Sequence, residues 1–191
     1  WLADQESMQR ECAVKVLSPE LTLHQEFINR FMQEVKSTGK LQHSNIVPSY
    51  YAGESDGIYY LAMECVSGEN LDAILDRDRQ MDETTVLKVA RSAADALEYA
   101  WEEQKLIHRD IKPSNIMIDD TKTVKILDFG IAKSLDAKNT SHLTQTGAIL
   151  GTPYYMSPEQ ASRKIALDCR SDIYSMGAVM YHLLSGEPPF Q

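Results

Sequence analysis

The pattern of apolar and polar positions divides the chain into a strand-rich first third and a helix-rich remainder. Arg10 to Leu17 alternates. Cys12, Val14 and Val16 fall on one side and Ala13, Lys15 and Leu17 on the other, the two-residue period of a strand. From Leu23 to Thr38 the period becomes helical: Phe27, Ile28, Phe31, Met32 and Val35 form one apolar stripe, and Gly39 suits its C-terminal end. Val47–Ala52 and Ile58–Met63 predict a hairpin joined by Gly53-Glu54-Ser55-Asp56-Gly57. Ser67-Gly68 interrupts the β-rich part. After it come Asn70–Arg77 and a longer helix from Asp82, a suitable N-cap, to about Glu103. Val86, Val89, Ala90, Ala93, Leu97, Ala100 and Trp101 share one face of that helix. A short hairpin follows, Ile116–Ile118 with Val124–Leu127, turning at Asp119-Asp120. Residues 131–150 lack periodicity and read as a loop, and Ser171 to Ser185 reads as a buried helix. No internal repeat or low-complexity tract is present.

Composition narrows the class without naming a reaction. The 191 residues suffice for one sizeable domain or a two-lobed one, and 43% hydrophobic with 25% charged residues is globular usage. Twenty-eight acids against 19 bases leave a net charge of −9, which argues against nucleic acid or an anionic membrane surface as the main partner. Cys12, Cys65 and Cys169 are far apart and form no C-x-x-C pair, so they read as free thiols of a reducing compartment rather than a zinc site. No segment reaches the roughly 18 apolar residues of a membrane span; Ile173 to Leu184 comes nearest and reads as core. With no basic leader and no initial Met, the start at Trp1 is expected to be a cut from a longer protein.

The chemistry concentrates in His108-Arg109-Asp110-Ile111-Lys112-Pro113-Ser114-Asn115, followed by Asp128-Phe129-Gly130. Asp110 can accept a hydroxyl proton. Asn115 and Asp128 offer oxygens of the kind Mg²⁺ takes, and Lys112 can neutralise phosphate charge. Together the two segments predict phosphoryl transfer. On the helix of residues 23–38, Glu34 lies seven residues from Phe27 and three from Phe31, so it rides the inward stripe, where it needs a cation; Glu26 shares the outer face. Lys15 can supply that charge.

At these residues the chain resembles the protein kinase superfamily, and through Leu143-Thr-Gln-Thr-Gly-Ala-Ile-Leu-Gly-Thr152 its bacterial, eukaryotic-like branch of PknB type. The resemblance implies an α+β, two-lobed fold, with residues 1–66 a β-rich N-lobe and residues 67–191 a helical C-lobe. It also implies truncation at both ends, the glycine-rich loop and the last helices being absent. The expected activity is transfer of the ATP γ-phosphoryl group, with Mg²⁺ or Mn²⁺, to Ser or Thr hydroxyls of protein substrates in the cytoplasm, and activation by autophosphorylation between two copies. No nucleic acid and no membrane contact by this segment are expected. A pseudokinase or ATP-binding scaffold, a small-molecule phosphotransferase and an inactive fragment are the alternatives.

The resemblance also assigns roles. Cys12-Ala13-Val14-Lys15 matches the V-A-I-K strand, with Lys15 on the α- and β-phosphates, paired to Glu34, and Ala13 over the adenine. Met63-Glu64-Cys65-Val66 becomes the hinge: Met63 guards the back of the pocket, while the Glu64 carbonyl and Val66 amide bond the adenine edge above Met117. Asp110 and Lys112 are catalytic, and Asn115 and Asp128 hold metal. His108 packs on Phe129 and Gly130 permits the turn. Arg109 receives a phosphate on the loop, with Thr144 and Thr146 as phosphosites. Thr152 bonds Asp110 and Lys112, a Ser/Thr feature that Lys112 shares. Glu159 ends the docking segment and normally pairs with an Arg beyond the chain's end. Asp172 ties down the backbone of the catalytic loop.

Overall fold

A computed structural model describes residues 1–23, 25–129, 153–162 and 167–190, without the side chains at 20, 21, 30, 34 and 153. The expected loop 131–150 lies outside these residues. β1 (Leu2–Gln5), β2 (Arg10–Val16), β4 (Ile58–Glu64) and β3 (Ser49–Ser55) form an antiparallel sheet in that order. Against it packs α2 (Gln25–Thr38), preceded by the single turn α1 (Pro19–Thr22). The predicted helix began at Leu23, but Leu23 is 80% exposed and outside the stripe. Phe27, Ile28, Phe31 and Val35 bury against Leu61 and Met63 of β4, each contributing about 1.5–3 kcal/mol relative to exposure.

The hairpin is shifted from its predicted place. β3 runs over Ser49–Ser55 rather than from Val47, because Ile46 and Val47 are apolar for another reason. The Val47 amide donates to the Ile126 carbonyl at 3.0 Å, the Ile126 amide to the Asn45 carbonyl at 2.8 Å, and Asn45 Nδ2 to the Val124 carbonyl at 2.8 Å. This stretch docks the first sheet on the second. The link between β3 and β4 is a two-residue turn with Asp56 at φ 51° and Gly57 at φ 80°, the primed turn that suits a twisted hairpin.

β5 (Gly68–Asn70), β6 (Ile116–Asp119) and β7 (Val124–Ile126) make a second antiparallel sheet. β5 has no apolar signature and is not predicted. Gly68 permits it by close approach: a Cβ there would lie 2.6 Å from Asp119 Cα. Asn70 then caps α3 (Leu71–Asp78), Oδ1 accepting from the Ala73 amide at 2.8 Å. Asp82 caps α4 (Glu83–Gln104) as predicted, accepting from the Thr85 amide at 3.0 Å. α5 (Pro158–Ser162) and α6 (Arg170–Ser185) follow. Ala93, Ala96 and Ala100 of α4 and Val179 and Leu183 of α6 are fully buried in one core, where the small α4 side chains let α6 approach closely. Among the described residues, no helix is long and apolar enough to cross a membrane.

Candidate active site

The segment 108–115 lies between α4 and β6 and is held by contacts too distant in sequence for its own propensities to set. Asp172, in the first turn of α6, is 3% exposed and accepts from two backbone amides, His108 at 2.7 Å and Arg109 at 2.8 Å. Burial pushes its carboxyl above the usual carboxylate range; the nearby His108 and these two amides act in the other direction. Arg109 sits at φ 67°, a left-handed conformation that swings the chain toward Asp110.

His108 is fully buried. Its Nε2 donates to the Leu127 carbonyl at 2.8 Å and its Nδ1 accepts from the Asp110 amide at 3.2 Å, which fixes the tautomer. The ring meets Phe129 at 4.8 Å between centroids, tilted by 59°, as expected. One histidine thus links the strand end before Asp128 to the backbone of Asp110.

Five of the predicted residues form two charged clusters. Lys112 Nζ is 2.9 Å from Asp110 Oδ2. Asn115 Nδ2 donates to the same oxygen at 3.0 Å and to the Asp110 carbonyl at 2.8 Å. The turn Pro113–Asn115 sets that geometry, with the Asn115 amide bonded to the Lys112 carbonyl at 3.0 Å. Across the junction of the sheets, Lys15 Nζ lies 2.7 Å from Asp128 Oδ2. Asp128 is itself left-handed, at φ 57°. The Leu127 amide donates to the Asn115 carbonyl at 2.9 Å, tying the two clusters together.

The remaining predicted residues fall around these. In the β2–β4 register, Ala13 opposes Met63 and Lys15 opposes Leu61, so Ala13, Met63 and Lys15 share a sheet face. Met63 is buried and Val66 packs on the same core. Glu64 ends β4, its carboxylate 3.5 Å from Lys125 Nζ. Met117 sits in β6 between Asn70 and Lys125. Glu34 is in α2, but its side chain is outside the described set, as are Gly130, Thr144, Thr146 and Thr152. Glu159 Oε1 accepts from Ser171 Oγ at 2.8 Å; its own backbone amide and this hydroxyl hold its carboxyl below the usual range.

Two arrangements were not anticipated. Gln160 donates from Nε2 to the Arg109 carbonyl at 2.8 Å, while its Oε1 accepts from the amide and hydroxyl of fully buried Ser157. Ser157 and Gln160 therefore attach the start of α5 to the segment 108–115; polar residues without a period gave no signal for this. Tyr155 Oη and His182 Nδ1 are 2.7 Å apart beside a cleft of about 240 Å³ that Asp72, Lys112 and Tyr154 also line. Burial pushes the Tyr155 hydroxyl up to about 12 and holds His182 below its ordinary value. Arg109 Nε is buried with no hydrogen-bond partner among the described residues.

Fit to a divalent cation follows from the donor set. Among the described residues, no group of three or more His, Cys, Asp or Glu side chains is placed to hold a metal ion. Asp128 and Asn115 supply oxygens, and the Asn115 NH₂ is committed to Asp110, which turns its Oδ1 away from that carboxylate. One or two protein oxygens completed by phosphates suit Mg²⁺ and would not suit an all-protein cage.

The fold thus sets a lysine–aspartate pair across the junction of its sheets and an Asp–Lys–Asn cluster in the segment 108–115. The chain belongs to the protein kinase domain family, whose model matches residues 2–191. It is 43% identical over 186 residues to a probable serine/threonine-protein kinase PknB of Corynebacterium glutamicum, covering 95% of this chain and 28% of that protein. It is 42% identical over 187 residues to serine/threonine-protein kinase PknB of Mycobacterium leprae, covering 96% and 29%. A crystal structure of the Mycobacterium tuberculosis PknI kinase domain superposes with a TM-score of 0.80 at 28% identity, over 100% of this chain and 70% of that one. The chain thus spans less than a third of the length of the two PknB relatives.

Proposed function

We propose that this chain carries the catalytic centre of a serine/threonine protein kinase, which moves the γ-phosphoryl group of ATP to a Ser or Thr hydroxyl of a protein. The observation that carries this reading is the Asp110–Lys112–Asn115 cluster, with one carboxylate oxygen held at 2.9 Å by an ammonium and at 3.0 Å by an amide. The Asp110 carboxylate takes the proton of the substrate hydroxyl as its oxygen attacks the γ-phosphorus; the bond to the β-phosphate oxygen breaks and ADP leaves. Lys112 offsets the charge on the phosphoryl in transit. Lys15 holds the α- and β-phosphates, with Glu34 as its partner on α2. Asp128 and Asn115 would hold Mg²⁺ or Mn²⁺, which when bound neutralises phosphate charge. Positioning and charge stabilisation account for most of the catalysis.

The base of the nucleotide is read by the backbone of Glu64 and Val66, between Ala13 and Met63 above and Met117 below. The lobes meet at residues 66–67. Thr144 and Thr146 are autophosphorylated between copies, and Arg109 Nε, without a hydrogen-bond partner among the described residues, is a donor suited to such a phosphate. The reaction belongs in the cytoplasm, which supplies ATP and keeps the three free cysteines reduced.

The test is Asp110→Asn against radiolabelled ATP and a Ser/Thr peptide. The expected loss of rate is about 10²–10⁴-fold, the usual contribution of a positioned base, with ATP binding retained. Parent-level transfer by the variant would remove Asp110 from the reaction.

A further inference from the structure

Lys125 stands in the middle of β7 with only 15% of its side chain exposed. A lysine this covered needs a partner for its ammonium. The partner is Glu64 Oε1 at 3.5 Å, on the last residue of β4 and therefore in the other sheet. The chain passes from the first sheet to the second at residues 65–67, immediately beyond Glu64. The register sets Lys125 opposite Met117, so both side chains leave the same face of the β6–β7 pair. The neighbouring Ile126 holds Asn45 and Val47 by backbone hydrogen bonds. β7 thus receives the first sheet at two points, and the ion pair is the one adjoining the crossover.

We propose that Lys125 is a positioning residue for nucleotide binding: its pair with Glu64 straps the crossover backbone above Met117. The Glu64 carbonyl and Val66 amide are then held at the spacing a purine edge requires before the nucleotide arrives. This rests on the reading of Glu64, Val66 and Met117 as the base-binding site. Removing one partner of a covered ion pair destabilises when the other stays buried and unpaired, but Glu64, 32% exposed, keeps water within reach when Lys125 becomes an apolar side chain of similar length. Loss of the strap in Lys125→Met therefore shows mainly in affinity, through lost preorganisation, rather than in melting.

Equilibrium titration with MgATP, paired with thermal melting, tests this on the parent, Lys125→Met, Glu64→Gln and the exchanged pair Glu64→Lys with Lys125→Glu. Each single variant is expected to bind MgATP about three- to tenfold more weakly, Lys125→Met with its melting temperature nearly kept and Glu64→Gln with a lower one because Lys125 stays covered, and the exchanged pair to regain most of the loss in affinity. Lys125→Met binding as tightly as the parent, or an exchanged pair no better than the single variants, overturns the strap alone. A parent that does not bind MgATP overturns the nucleotide reading, and the strap with it.

Discussion

Replacing Asp172 by Ala should damage the protein more than any exposed carboxylate would. The side chain is 3% exposed and accepts two backbone hydrogen bonds, at 2.7 and 2.8 Å, from His108 and Arg109, the two residues before Asp110. Hydrogen bonds to a charged acceptor contribute about 1.5–3 kcal/mol each, and the amides left behind are unsatisfied. Burial of the carboxylate opposes this at neutral pH, since its carboxyl lies above the usual range. The net destabilisation is then about 2–4 kcal/mol, or a melting drop of about 5–15 °C for a chain this size. Urea unfolding followed by tryptophan fluorescence measures it.

The pH dependence gives an independent check. A raised carboxyl binds its proton in the folded state at pH values where the unfolded chain has already lost it. Parent stability relative to the variant therefore falls as pH rises from the ordinary carboxylate value through the raised one. The gap between parent and variant should be widest near pH 4 and narrow toward pH 7. A gap that widened with pH, or a variant within about 0.5 kcal/mol of the parent at all pH values, would refute the account.

Other outcomes follow from the same geometry. Gly68→Ala should destabilise by about 1–3 kcal/mol, because the added Cβ meets backbone of β6 that cannot rotate away; an unchanged urea midpoint would show that β5 can peel off freely. His182 is held below its ordinary value near 6.5 by burial, so the unfolded chain takes up its proton first as the pH falls. The parent should lose stability from pH 7 to pH 5 through this residue, and His182→Gln should flatten that slope in melting curves.

Much of this site was legible because its residues are close in sequence. Asp110, Lys112 and Asn115 lie within six positions, and a turn of three residues closes their geometry. The inward stripe of α2 and the Asp82 cap were legible for the same reason: period and cap are local. Pairings between distant polar residues were not legible. Gln160 reaches Arg109 across 51 positions and Lys125 reaches Glu64 across the sheet junction, and neither glutamine nor lysine advertises a buried role. The strand predicted from Val47 failed for a related cause. Ile46 and Val47 are apolar because they dock on β7, which mimics the alternation of a strand two residues early.

The left-handed backbones of Arg109 and Asp128 have a cost and a use. Each non-glycine residue so held gives up about 1–2 kcal/mol. Gln9, Asp56, Arg79, Lys105 and Lys122 share that conformation, but at turns and helix ends, whereas the bends at 109 and 128 adjoin the carboxylates proposed to carry the transfer. Glycine at 109 would slacken one of these joints at little expense in folding, and Asp110 would then hang from a loose arm. Selection for robustness alone would soften these two joints; on the proposed reading they stay stiff in order to point.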